Sequence, residues 1–313
     1  MIRTFPEFSK LAYADREAYE ALIADYPPLC DLAFVNLQLW WNSFDGLRVS
    51  LLNGNLVICY WIPGDDERSG LALVGTNMVD QSICTIFDYL HEQSKPARIV
   101  NTPDFVIKSI RYPELFHFNT STTDDEYVIS LEHFALADNM PRYQQERIGR
   151  FLEQNRGRKT EMRRLNLAEN GARELLLQAD GQWPHKGFNN LSAAGREMLP
   201  YSIAQAAKLG VSNYCLFIDN QLTGYILYFN SQDANYACTL LMRLNYRVPL
   251  IFDYAVHAFS AEIIKQGPRL MNIQSDDGSS QMRALKLTLK PVEFFRKYTI
   301  EPVRRPLGVF SLN

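Results

Sequence analysis

The residues best suited to chemistry lie together late in the chain, in the stretch Arg269 to Tyr298, RLMNIQSDDGSSQMRALKLTLKPVEFFRKY. Asp276 is a carboxylate that could accept a proton or anchor a substrate ammonium, and Arg283 and Lys286 could meet an oxyanion or a phosphate. The elements that must position them can be read from the same residues. Leu270, Met271 and Ile273 read as an interior strand, and Asp276-Asp277-Gly278-Ser279-Ser280 combines turn formers with helix N-caps. In the helix that follows, Met282, Leu285 and Leu289 fall at i, i+3 and i+7. Arg283, Lys286 and Lys290 take the same spacing on the neighbouring face, so one side is expected to pack and the other to present cations. Pro291 closes the helix, because the residue before a proline avoids the α region. A carboxylate-bearing turn at a helix N-terminus, with cations on the same helix, can hold a polar or anionic substrate. A solvated helix face with an ordinary cap fits the same spacing.

At 313 residues the chain is long for a single core, and two domains are expected. A hydrophobic content of 47% with 21% charged residues is that of a globular protein, and a net charge of -3 gives no global drive towards nucleic acid or an anionic surface. Any such binding must come from a local patch. The five cysteines (Cys30, Cys59, Cys84, Cys215 and Cys238) are scattered, with no C-x-x-C pair, so neither a disulfide framework nor a metal site is expected. The histidines show no ligand spacing; His185, beside Trp183-Pro184, is placed in a loop from which it could reach a pocket. The start, MIRTFPEFSK, has no apolar targeting region, and no apolar run reaches the length of a membrane span. The expectation is a cytoplasmic protein without a transmembrane segment.

The two halves repeat one order of elements. Apolar runs flank Asn53-Gly54, a hairpin signal; Leu71 to Val74 reads as a strand, Ile83 to Glu92 as a helix, and Ile99 to Asn101 as a strand. Tyr127 to Leu131 reads as a strand of the same half. In the second half Tyr214 to Ile218 and Leu222 to Phe229 form a hairpin around Asp219-Asn220. A strand at Tyr236 to Met242, a helix at Leu250 to Lys265 and a strand at Arg269 to Ile273 follow. The tetrapeptide Ile86-Phe87-Asp88-Tyr89 recurs as Ile251-Phe252-Asp253-Tyr254. Element order and landmark together indicate a duplicated α+β unit, with the join near Ala137 to Arg142 and domains at 1–137 and 138–313.

The segment Asn272 to Val292 resembles the C-terminal signature of the phosphatidylglycerol lysyltransferase C-terminal domain family, in which N-R-E-E-D-x-G is followed by L-R-x-x-K and K-P. Asn272, Asp276, Gly278, Arg283, Lys286, Lys290 and Pro291 match, while Ile273, Gln274 and Ser275 replace an arginine and two acids. Gly157-Arg158-Lys159-Thr160 is similar to the family's K-R-N segment. The resemblance implies two tandem GNAT-like (acyl-CoA N-acyltransferase-like) domains, with mixed, mostly antiparallel sheets flanked by helices, as in the related Fem aminoacyl transferases. It implies an acyltransferase whose donor is aminoacyl-tRNA or acyl-CoA and whose acceptor is a lipid headgroup or a small amine or hydroxyl compound. No resident cofactor is expected.

On that reading Asp276, Arg283 and Lys286 are the candidate catalytic residues, and Arg158, Lys159, Asn272, Lys290 and Tyr298 the candidate substrate contacts. The run Arg156 to Arg164 carries five cations against one acid and could meet the phosphates of a tRNA or of a lipid headgroup; an exposed basic face is the alternative. The loop Arg243 to Pro249 has no glycine, which disfavours a cradled pyrophosphate, although Arg243 and Arg247 could still meet an anion. The replaced acids leave a second function open, a catalytically silent ligand-binding protein on the same scaffold.

Overall fold

Two dipeptides set the turns around which both halves are built. Asn53-Gly54 has φ of 52° and 81°, and Asp219-Asn220 has 50° and 62°, the positive pair that lets a two-residue turn follow the twist of its strands. The computed structural model describes residues 1–41, 47–60, 69–120, 123–184, 186–189 and 193–303. His185 lies outside the described residues.

The first sheet runs β1 (Arg3–Thr4), β3 (Arg48–Leu52), β4 (Asn55–Tyr60), β5 (Gly70–Val74), β6 (Ile99–Pro103), β15 (Lys297–Pro302), β7 (Phe116–Thr120), with β2 (Ser9–Lys10) also on β3. The second runs β14 (Glu293–Phe295), β8 (Glu126–Ser130), β13 (Leu270–Asn272), β12 (Tyr236–Leu244), β11 (Gln221–Asn230), β10 (Ser212–Ile218), β9 (Thr160–Arg163). In each, two parallel strands are joined by a single crossover helix, β5 and β6 through Val79–Glu92 and β12 and β13 through Ile251–Ile263, and in the first sheet β1 also lies parallel to β3. In both cases the residue before the helix, Met78 or Leu250, is left-handed, with φ of 47° and 61°. The fold is α+β, with mixed sheets flanked by helices.

Each crossover helix buries an apolar stripe. Ile83, Ile86 and Phe87 share a core with Val57, Leu73 and Ile99, and Ile251, Ala255 and Phe259 share one with Leu216, Ile226 and Met271. Full burial of a large apolar side chain contributes about 1.5–3 kcal/mol. The shared tetrapeptide does not mark equivalent positions. The helices start at 79 and 251, 172 residues apart, whereas the tetrapeptides start at 86 and 251, 165 apart, so the motif sits about two turns later in the first helix. The duplication rests on topology, not on this motif.

The chain divides into two compact units, one of Met1–Pro27, Trp40–Asp125 and Phe295–Asn313, the other of Pro28–Leu39 and Glu126–Phe294. The expected boundary at 137/138 differs from this division, because two strands change halves. β8 is hydrogen-bonded to β13 within the second sheet, and β15 enters the first sheet between β6 and β7. Among the described residues no helix is long and apolar enough to cross a membrane.

Candidate active site

After β13 the backbone turns through three left-handed residues, Gln274 (φ 62°), Asp277 (49°) and Gly278 (76°). Such a turn leaves carbonyls and amides without ladder partners, and side chains supply them. Buried Asn272 accepts the Gln274 amide at 2.9 Å through Oδ1. Its Nδ2 donates to Glu126 Oε2 at 2.5 Å and to the Pro28 carbonyl at 3.1 Å. Ser279 caps the helix Ser280–Thr288 by accepting the Met282 amide at 3.2 Å.

Asp276, 1% exposed, is the centre of the cluster. Its Oδ2 accepts the Tyr127 hydroxyl at 2.6 Å and Arg283 Nε at 2.8 Å. Its Oδ1 accepts the Gly278 amide at 3.0 Å and Arg283 Nη2 at 3.4 Å. Burial pushes its pKa up, but the hydrogen bonds from Arg283, Tyr127 and the Gly278 amide outweigh burial and hold the carboxyl below its ordinary value. A carboxylate so engaged is a poor proton acceptor, and its geometry suits an anchor better than a base. Burial, reinforced by Asp276, raises the Tyr127 phenol to about 12. The Arg283 side chain keeps 36% of its exposure, so a guanidinium fastened from below stands at the boundary of core and solvent.

Lys286 turns inward, against the expectation of an outward cationic face. It is 3% exposed, and its Nζ donates to the carbonyls of Ile273 (2.6 Å), Gln274 (3.0 Å) and Ser275 (2.5 Å). The rings of Tyr127 and Phe188 lie 5.6 and 6.0 Å away. Burial draws its pKa down to about 8, while the charges of Asp277, Cys30, Asp276 and Glu126 act in the opposite direction. Three ammonium protons and three carbonyl oxygens match, so this side chain fixes the backbone of the turn. Lys290 is exposed just beyond the helix, with φ of 49°.

The remaining candidates lie elsewhere. Arg158 and Lys159 precede the edge strand β9, four strand spacings from β13, or about 19 Å across the sheet. Arg158 donates to Asp219 at 2.7 Å and to Asn155 at 3.3 Å, and Lys159 pairs with Glu161. Arg163 shares Glu161, Arg156 pairs with Glu153, and Arg164 lies over the Tyr214 ring. The basic run is thus balanced by nearby acids and is not gathered around Asp276. Arg243 is fully buried, paired with Asp180 and donating to the Phe188 carbonyl at 3.2 Å, which removes it as a free anion contact. Tyr298 belongs to the other unit, where it donates to Asp104 Oδ1 at 3.2 Å.

Tyr127, Glu126 and Phe188 are the members that sequence reading missed. Glu126 Oε2 and Oε1 accept the amides of Cys30 and Asp31 at 2.6 and 3.1 Å, in addition to Asn272. The alternation Glu126-Tyr127-Val128 marks a strand, but nothing local says which sheet receives it.

Fold and cluster together define an α+β protein of two compact units, each with a mixed sheet flanked by helices. No protein-family model and no curated protein matches the chain. Solved structures do. A conserved protein of unknown function from Bacteroides thetaiotaomicron VPI-5482 superposes with a TM-score of 0.79 at 18% identity, over 96% of this chain and 99% of its own. The C-terminal domain of a protein described as a lysylphosphatidylglycerol synthetase, from Agrobacterium fabrum, gives 0.60 at 13% identity over 92% and 90%. L-PGS from Bacillus licheniformis gives 0.59 at 15% identity over 98% and 94%. At these identities the likeness is one of fold.

Proposed function

We propose that the protein is an acyltransferase working at the 272–286 turn. The donor is an activated acyl ester or thioester, aminoacyl-tRNA or acyl-CoA, and the acceptor an amine or hydroxyl of a small molecule or lipid headgroup. The observation that carries this reading is the Asp276–Arg283 pair, a buried carboxylate clamping a half-exposed guanidinium. A cation whose orientation is set before substrate arrives stabilises the oxyanion of the tetrahedral intermediate without reorganising. Asp276 and Tyr127 orient Arg283, Lys286 holds the backbone beneath it, and Asn272 and Glu126 fix the start of the turn. The Agrobacterium fabrum neighbour, described as a lysylphosphatidylglycerol synthetase, supports an aminoacyl donor and a lipid-headgroup acceptor.

The test is transfer from radiolabelled aminoacyl-tRNA and acyl-CoA to phosphatidylglycerol vesicles and to small amines. Arg283→Ala should lower kcat/KM about 100-fold or more, and Arg283→Lys should restore only part. Unchanged turnover in Arg283→Ala removes the assignment.

A second reading, a ligand-binding protein without catalysis, is favoured by one observation. Asp276 has donors on both oxygens and Lys286 has an acceptor for each proton, so neither is a ready base. Thermal stabilisation by a headgroup analogue, with no transfer from any donor, would select it.

A further inference from the structure

β9 ends the second sheet, paired with β10 on one side only. The pairing is antiparallel, so alternate residues turn their main-chain groups inward. The Lys159 carbonyl accepts the Asp219 amide at 2.8 Å, and two residues past the strand the Leu165 amide and carbonyl meet the Asn213 side chain, both at 2.8 Å. Lys159, Glu161 and Arg163 therefore turn their amides and carbonyls to β10, and those of Thr160, Met162 and Arg164 point out of the sheet. None of the outward groups makes a hydrogen bond among the described residues. Such an edge is normally guarded by a proline, a bulge or a charge standing over it. β9 has no proline, and its register with β10 is unbroken. Its guanidiniums are laid back over their own sheet: Arg158 donates to Asp219 at 2.7 Å, and Arg163 and Arg164 lie 4.7 and 5.1 Å from the rings of Phe217 and Tyr214. The main chain is left clear.

We infer that β9 receives an extended acidic peptide as an added strand. The side chains along the edge specify it. One face carries Lys159, Glu161 and Arg163, with the Lys159 and Arg163 side chains 68% and 40% exposed. The other carries Thr160 and Met162, and Met162 packs against the core. In an added strand the side chains stand directly opposite these, with Cβ atoms about 5 Å apart. The peptide needs carboxylates opposite Lys159 and Arg163, a lysine opposite Glu161 between them, and valines opposite Thr160 and Met162. That pattern reads the same in both directions, so it fits a parallel or an antiparallel strand. The exposed pairs that Lys159 and Arg163 make with Glu161 are worth little and exchange readily. An RNA strand neutralises the same cations but brings no evenly spaced amides for the outward carbonyls. The inference is independent of the acyltransferase reading, because β9 lies four strand spacings from β13.

The experiment is fluorescence anisotropy on the full chain with labelled Ser-Glu-Val-Lys-Val-Glu-Ser and with Val-Ser-Glu-Glu-Val-Ser-Lys, a scramble of the same composition. The ordered peptide should bind roughly tenfold more tightly than the scramble. Met162→Pro removes an outward amide, leaves the inward ladder whole, and should weaken binding of the ordered peptide roughly tenfold. Should that variant fail to fold, the double variant Lys159→Glu with Arg163→Glu decides, because it leaves the main chain alone. It should lose the ordered peptide and take up Ser-Lys-Val-Lys-Val-Lys-Ser in its place. Equal affinity for ordered and scrambled peptides overturns the inference, since charge alone would then account for binding. Binding of the ordered peptide that survives either folded variant overturns it as well. So does failure of the ordered peptide to bind, and an RNA hairpin held by Lys159 and Arg163 in that case would assign the surface to phosphates.

Discussion

The two units each set a tyrosine, an aspartate and a basic residue at the same place in a repeated plan. In the second, Tyr127 on β8 donates to Asp276, just past β13, and Asp276 holds Arg283. In the first, Tyr298 on β15 donates to Asp104, just past β6, and Asp104 holds Lys108. What separates them is water. The Asp276 and Arg283 side chains are 0% and 36% exposed, whereas those of Asp104 and Lys108 are 32% and 75% exposed. An exposed pair one helical turn apart is screened and free to open, while a buried carboxylate must keep its donors. The unit 1 loop ahead of its crossover helix is also filled by its own polar groups. Asn55 Nδ2 donates to the Asn77 carbonyl at 2.6 Å and to Ser82 Oγ at 3.1 Å, and a Cβ on Gly75, whose φ is 139°, would lie 2.2 Å from Asn55 Oδ1. On the repeated plan a cation is held in a fixed orientation only where its carboxylate is buried, and the residue types alone do not suffice.

The largest expected contrast is kinetic. Arg283→Ala should cost about 100-fold or more in transfer, and Lys108→Ala should cost nothing; equal losses would erase the distinction between the units. Next comes the pH dependence of stability. Lys286 titrates at about 8 in the folded protein against an ordinary lysine value of 10.5, so between these values the unfolded chain binds more protons and stability rises with pH. Relative to Lys286→Met, the wild type should gain about 3 kcal/mol from pH 8 to 10.5 in urea titrations, since each pKa unit is worth about 1.4 kcal/mol. Parallel curves for the two proteins would show that burial does not strain this ammonium.

Asp276→Ala should destabilise by about 2–3 kcal/mol, the low side for a broken buried pair because Arg283 reaches water. Asp104→Ala should leave the urea midpoint where it is. Smallest is Tyr127→Phe, about 1.5 kcal/mol, the low end for a hydrogen bond to a charged acceptor, with a larger loss in transfer than in stability if the phenol orients Asp276. A Tyr298→Phe effect of the same size on both measurements would make the two tyrosines equivalent.

Much of this was legible before any coordinates. Asn53-Gly54 and Asp219-Asn220 announce their hairpins, and Ser279 caps the helix that the residue pattern starts there. Asp276, Arg283 and Lys286 fall in one cluster because a strand, a turn and a helix close in sequence place them there. What was hidden depends on residues far apart in the chain. Tyr127 reaches Asp276 across 149 residues, on a strand that looks like any other strand of the first half. Lys286 sits in the spacing of a solvated face, and only the three carbonyls left by the left-handed turn explain its burial. The charge run at Arg158 and Lys159 reads as a phosphate contact until Asp219, on a distant hairpin turn, is seen to pair with Arg158.

The exchange of strands also orders events at the ribosome. β6 and β7 are complete by residue 120, yet β15, which must lie between them, begins only at residue 297. At about 5–20 residues per second, the earliest-made sheet waits on the order of ten seconds or more with an interior strand missing and a bare ladder of amides and carbonyls at β6. The first unit to be synthesised is thus the last to close, and nascent chains stalled just short of β15 would be the form most in need of a chaperone.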